Sequence, residues 1–166
     1  MAGEIIMVTG STGAGKTSYA IDLAGRIGGI RFSIDEWMTT LFWMDSPQPI
    51  KFEWTMERID RCETQILEQV SALSDRGIPS VLDLGFTRID HRARFAQAAT
   101  AIGAAVSLHW IDILPEERWR RVQQRNEAKG KTFSMRVDRA MFDFMEGQWQ
   151  PPSDEEISAM NGQIIR

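Results

Sequence analysis

The sequence predicts an α/β sandwich built around a parallel sheet. Short, continuous apolar runs recur along the chain, and stretches with helical spacing separate them. The first run leads directly into a glycine-rich turn, as buried parallel strands do. With 166 residues, 43% of them hydrophobic, the chain suits one domain with one core.

The elements follow in order. Residues 5–8, Ile-Ile-Met-Val, form the first strand. A helix is expected over residues 16–27, with Tyr19, Ala20, Leu23 and Ile27 on one stripe and Gly28-Gly29 as its stop. Residues 31–34 read as a second short strand. The stretch 37–54 reads as irregular: Trp37, Phe42, Trp43, Phe52 and Trp54 crowd it, and Pro47 and Pro49 break it. A long helix is expected from about 53 to 76, where Met56, Ile59, Ile66, Val70 and Leu73 recur at helical spacing before Gly77 and Pro79. Residues 80–84 give strand three, 89–102 a helix closed by Gly103, and 105–111 strand four. Pro115 suits a first helical turn, and 116–127 is a strongly charged helix broken by Lys129-Gly130-Lys131. One more helix is expected near 137–145. Ile164-Ile165 is a weakly marked fifth strand.

Composition removes some classes of function. The formal net charge is -4, and charged residues are 25% of the chain, ordinary for a soluble domain. A protein that grips long nucleic acid usually carries a basic surplus, so that partner is disfavoured, although a local basic patch stays open. Cys62 is the single cysteine, which rules out a disulfide within the chain and points to a reducing, cytoplasmic setting. The N-terminus lacks a basic n-region, and no apolar run approaches eighteen residues, so no membrane partner is expected.

The strongest signal is Gly10-Ser11-Thr12-Gly13-Ala14-Gly15-Lys16-Thr17, which fits G-x-x-x-x-G-K-[ST] between a strand and a helix. The glycines let successive backbone N–H groups turn toward phosphate oxygens, and the helix adds its positive end. Lys16 is expected on the β- and γ-phosphates, and the Thr17 hydroxyl on Mg²⁺. The pattern implies ATP with Mg²⁺ as the ligand.

Ligands on parallel sheets bind at the carboxyl ends of the strands. Asp35 follows strand two and is either a base near the γ-phosphate or an ordinary first-turn helix acid. Asp83 ends strand three and either holds Mg²⁺ or caps the next helix. Arginines cluster at Arg88, Arg92 and Arg94, then at Arg118, Arg120, Arg121 and Arg125. Two or three of these seven are expected to meet phosphate or acceptor, and the rest to form a solvated charged face. The aromatic stretch 37–54 is either local packing or the wall of an acceptor site. His91 and His109 have no metal-ligand partners at sensible spacing.

Taken together, the glycine loop, Ile34-Asp35-Glu36-Trp37, Asp83-Leu84-Gly85-Phe86 with Arg88 and Arg92, and the arginine helix ending Arg125-Asn126 resemble the small P-loop kinases. The likeness is to the chloramphenicol phosphotransferase-like and AAA-type kinases over most of residues 4–150. It implies a five-stranded parallel sheet in the order 2-3-1-4-5 and a helical lid at about 115–135. It also implies an acceptor region at about 35–55. Lys16, Asp35 and Arg125 would be catalytic, Arg121 and Arg125 would join the loop on the nucleotide, and Thr17 and Asp83 would hold the metal. Asp35, Trp37, Arg88 and Arg92 would meet the acceptor. The implied reaction moves the γ-phosphate of ATP to a hydroxyl of a small molecule. A polynucleotide-end kinase and an ATPase or switch without an acceptor are the alternatives.

Overall fold

The computed structural model describes residues 1–130 and 136–166. Five parallel strands form one sheet in the order β2-β3-β1-β4-β5. They are β1 Ile5–Thr9, β2 Ile30–Ser33, β3 Ser80–Asp83, β4 Val106–Ile111 and β5 Gln163–Ile165. The order is the expected one. Among the described residues the helices are α1 Lys16–Ile27, α2 Ile34–Phe42, α3 Phe52–Ser74, α4 Ile89–Ala101, α5 Pro115–Ala128, α6 Arg139–Gln148 and α7 Asp154–Ala159. None of them is long and apolar enough to cross a membrane.

The two-residue period of β1 sorts the core onto two faces. Ile5 and Met7 face α3 and α4, packing with Phe32, Ile66, Val70, Leu82, Phe95 and Leu108. Ile6 and Val8 face α1, packing with Ala20, Leu23, Ala24, Val81 and Ile111. A third, small cluster of Val122, Val137 and Phe142 joins α5 to α6. The long α3 buries Cys62, Ile66 and Val70 at four-residue spacing, which explains why its pattern was legible.

Two helices differ from the expectation. Residues 34–42, read as mostly irregular, are helix α2. Ser33 caps it by accepting from the Glu36 N–H at 3.3 Å, and its apolar side carries the buried Ile34 with Trp37, Met38 and Phe42 packed against the core. The cap also ends β2 at Ser33, one residue early. Helix α7 was not expected. Its six residues are set by a reciprocal capping box between Ser153 and Glu156. The weakly marked fifth strand is present, with Asp112 N–H donating to Ile165 O at 2.8 Å. Of the expected lid, residues 115–128 form α5, whereas 131–135 lie outside the described residues.

Candidate active site

All five strands end on one edge. The turn after β1 begins there, α2 starts there with Asp35 in its first turn, and Asp83 closes β3 beside Ser33 in register. A cleft of about 780 Å³ runs along this edge.

The loop of residues 10–17 makes its floor. Gly13 and Gly15 adopt φ of 79° and 94°, a region that side chains rarely enter. Gly13 is also sterically required: a Cβ there would lie 2.6 Å from Arg118 O and 2.8 Å from Val122 Cγ2. The curl places Lys16 Nζ 3.2 Å from Ser11 O, and Gly15 O accepts from Tyr19 N–H at the head of α1. Residues 12–17 line the cleft, while Gly10 and Ser11 line a smaller neighbouring cavity.

Lys16, Thr17, Asp35, Asp83 and Arg125 share one end of the cleft. Tyr19, Ile113 and Ile165 line it too, an apolar and aromatic group well suited to a base, with the exposed Arg166 beside them. The charges at the polar end act on one another. Burial lowers the Lys16 pKa, opposed by the carboxylates of Asp83 and Asp35. Asp35 is raised, first by desolvation in the crowded cleft and then by the charge of Asp83, while Lys16 and Arg125 pull it down. Asp35 itself remains exposed on the wall of the cleft. Burial also weighs against the charge on Arg125, with Asp35 opposing.

Arg125 Nε is buried and has no hydrogen-bond partner among the described residues. A buried guanidinium N–H on the wall of this cleft fits an anion. The loop N–H groups and Lys16 fit the same ligand. For the metal, Thr17 and Asp83 supply one hydroxyl and one carboxylate. Among the described residues no cluster of three or more His, Cys, Asp or Glu could hold an ion unaided. That donor set suits Mg²⁺, which takes one or two protein oxygens and completes its shell with phosphates and water. Arg31 Nη1 donates to Asp83 Oδ2 at 2.9 Å, which orients the carboxylate and occupies one of its two oxygens.

Arg121 lines the cleft beside the loop. It donates to Ala14 O at 3.2 Å and to Glu117 Oε1 at 2.9 Å, and the guanidinium groups of Arg120 and Arg121 hold Glu117 down to about 2.

The other expected acceptor contacts are placed elsewhere. Arg92 is corrected outright: it is 0% exposed and grips Glu156 with two bonds of 2.8 and 3.0 Å. Its Nη1 donates to Phe86 O at 2.9 Å, so it braces the loop after β3 and is buried away from any substrate. Arg88 is exposed, pairs with Asp90, and lines neither cavity. Trp37 turns its ring edge-on to Phe32 at 6.3 Å and packs on the core, also off both cavities.

Sequence reasoning missed a brace behind the phosphate loop. Glu146 on α6 accepts from Ser11 Oγ at 2.6 Å and takes two bonds, 2.8 and 2.7 Å, from Arg118. Arg118 also donates to Thr12 O and Ile113 O. Arg118 was one of seven arginines with no feature to single it out, and nothing local marks Glu146.

These features match known proteins. No curated protein sequence matches the chain. Among solved structures, a chain of the Pnkp1/Rnl/Hen1 RNA repair complex superposes with a TM-score of 0.68 at 18% identity, covering 96% of this chain. This protein spans 45% of that chain's length. Chaetomium thermophilum Kti12, solved with ADP-AlF3, gives a TM-score of 0.71 at 13% identity, covering 97% of this chain and 88% of that one. A gluconokinase from Sinorhizobium meliloti 1021 gives 0.63 at 14% identity, covering 98% and 81%. At such identities the likeness establishes the fold alone, a five-stranded parallel sheet in the order 2-3-1-4-5 flanked by helices. The AAA domain family (AAA_33) matches residues 5–152, and the chain belongs to it.

Proposed function

We propose that the protein is an ATP-dependent phosphotransferase that moves the γ-phosphate of ATP to a hydroxyl of a small molecule. The observation that carries this reading is the meeting of Lys16, Arg125, Asp35 and Asp83 at one end of the cleft, above the glycine loop. Two cations suit the charge that develops on a transferring phosphoryl group, and a carboxylate with raised pKa suits proton acceptance.

In this reaction the acceptor oxygen bonds to the γ-phosphorus as the bond from that phosphorus to the β–γ bridging oxygen breaks. The electron pair leaves with ADP, and the hydroxyl proton goes to Asp35. Lys16 and Arg125 hold the phosphoryl oxygens. Thr17 and Asp83 would hold Mg²⁺, which supplies charge neutralisation across the phosphates. Helix α5, which carries Arg121 and Arg125, would act as the lid.

A second reading makes the acceptor a nucleic-acid end; what favours it is the fold shared with the RNA repair chain. An assay of ADP release against sugars, nucleosides, antibiotics and 5′-hydroxyl RNA separates the readings. Stimulation by a small alcohol supports the first, stimulation by RNA alone supports the second, and a rate never above that with water makes the protein an ATPase.

A further inference from the structure

Beside the phosphate cleft lies a cavity of about 180 Å³. It adjoins the nucleotide site, because Thr12, Lys16 and Thr87 line both spaces. A group seated in it would approach the phosphate that Lys16 handles. Its remaining walls include Phe144, Met145 and Gln148 of α6, together with Trp149.

Three features mark this space as built. The first is backbone conformation. Phe86 is fully buried yet adopts φ 51°, a left-handed conformation that costs a bulky residue energy. Thr9 Oγ1 at 3.0 Å and Arg92 Nη1 at 2.9 Å both donate to its carbonyl, holding the turn that presents Thr87. The second is cross-tying of the walls. Gln150 N–H donates to Thr87 O at 3.0 Å, Ile89 N–H donates to Gln150 Oε1 at 2.9 Å, and Ser11 is tied to Glu146. The walls therefore come pre-organised. The third is Phe144, which is 69% exposed and lines the same cavity, extending its apolar face toward solvent.

The lining specifies a chemistry. Among the described residues Lys16 is the only charged side chain on it, and the transferred phosphate already employs that charge. What remains is an indole, a phenyl ring and a thioether, with one amide and three hydroxyls, of which Ser11 and Thr12 already donate to Glu146 and Met145. A second anion placed here would lose its hydration without gaining a counter-charge. A neutral planar body would be covered by the apolar side chains, and its polar atom could be met by Gln148 or Thr87.

We infer that this cavity is the acceptor pocket, and that it takes a small, uncharged alcohol with a planar or apolar body. The inference rests on the phosphotransferase reading above. It moves the acceptor from the aromatic stretch 37–54, none of which lines either cavity, to the space between the loop after β3 and helix α6.

A matched pair of probes tests it: 4-(hydroxymethyl)benzamide and 4-(hydroxymethyl)benzoate have one shape and differ in charge. Each is titrated into the protein saturated with a non-hydrolysable ATP analogue and Mg²⁺, and the tryptophan indole N–H resonances are followed by NMR. Trp149 is identified by its loss in Trp149→Phe. The expected result is a saturable shift at Trp149 with the amide and binding at least ~10-fold weaker with the carboxylate. Gln148→Lys, a change at an exposed position, should reverse that preference. A carboxylate that binds as well as the amide to the unaltered protein would overturn the proposal. So would an unmoved Trp149, or shifts confined to Trp43 and Trp54. This readout needs no turnover. An acceptor that is phosphorylated while Trp149 stays unmoved therefore counts against the pocket alone. A shifted Trp149 with no acceptor ever phosphorylated counts against the phosphotransferase reading.

Discussion

At the phosphate end, eight consecutive residues supply the cradle; at the proposed acceptor end, the walls come from three separate stretches of chain, the loop itself, Thr87 and residues 144–149. The first depends on backbone N–H groups and on two glycines in left-handed conformation, so its requirements are written as a contiguous motif. The second depends on side chains brought together by the fold. Ser11 and Glu146 bond across 135 residues, and Arg92 and Glu156 across 64. The phosphate end is general to any nucleoside triphosphate, whereas the acceptor end carries the individuality of this protein.

The sharpest way to break that contrast is Asp35→Asn, which removes the proposed base beside the phosphate loop and preserves its size. Transfer should fall by about 10²–10⁴-fold while ATP binding persists. The pH profile sharpens the test. The Asp35 pKa is raised, so in the wild type the acid limb of transfer should lie above the ordinary carboxylate range, with the rate rising as Asp35 ionises. The Asn variant should lack that limb. Transfer within a few-fold of wild type would reduce Asp35 to a first-turn acid of α2.

Arg92→Ala probes the acceptor end from behind. Removing a fully buried guanidinium leaves Glu156 without its partner, and the expected loss of stability is about 3–5 kcal/mol. Urea unfolding measures it. Unchanged stability with a raised acceptor KM would restore Arg92 to the substrate.

Lys16→Ala works at the phosphate end. It should cost roughly 10²–10³-fold in turnover and weaken ATP binding, with thermal stability close to wild type, because the side chain faces the cleft. Full turnover by the folded variant would dismiss the loop as a nucleotide site.

The smallest effect joins the two ends. The Arg118 hydrogen bonds, aided by the Ser11 hydroxyl, hold Glu146 below its ordinary pKa despite partial burial. A depressed carboxylate adds stability that is present above its unfolded pKa and lost as pH falls through the folded one. Glu146→Gln should therefore be about 1–3 kcal/mol less stable at neutral pH, with the gap closing below about pH 4. A gap independent of pH would remove the charge from the explanation.

What was legible in the sequence follows the same division. The strands of the sheet, the glycine loop, Asp35 and Asp83 all read correctly as positions at one edge, because strand runs and their first polar residues are local signals. Helix α2 was missed although Ile34, Trp37, Met38 and Phe42 recur at helical spacing, because Pro47 and Pro49 beyond it made the whole aromatic stretch read as broken, and α7 because six residues hold too few turns to show a period. Arg92 was assigned to the acceptor by resemblance, and its bracing role shows only when Glu156, 64 residues away, is placed against it. The Arg118–Glu146 brace and the small cavity have no sequence signature; they arise where α5, α6 and the phosphate loop meet.

The fate of the γ-phosphate decides the central claim. ATP labelled at that position is incubated with the protein, Mg²⁺ and each candidate alcohol, and the products are separated. Label should appear in a phosphate ester of one alcohol, in proportion to ADP formed, with Asp35→Asn abolishing most of that product. Label recovered solely as inorganic phosphate, whichever alcohol is offered, would contradict the account.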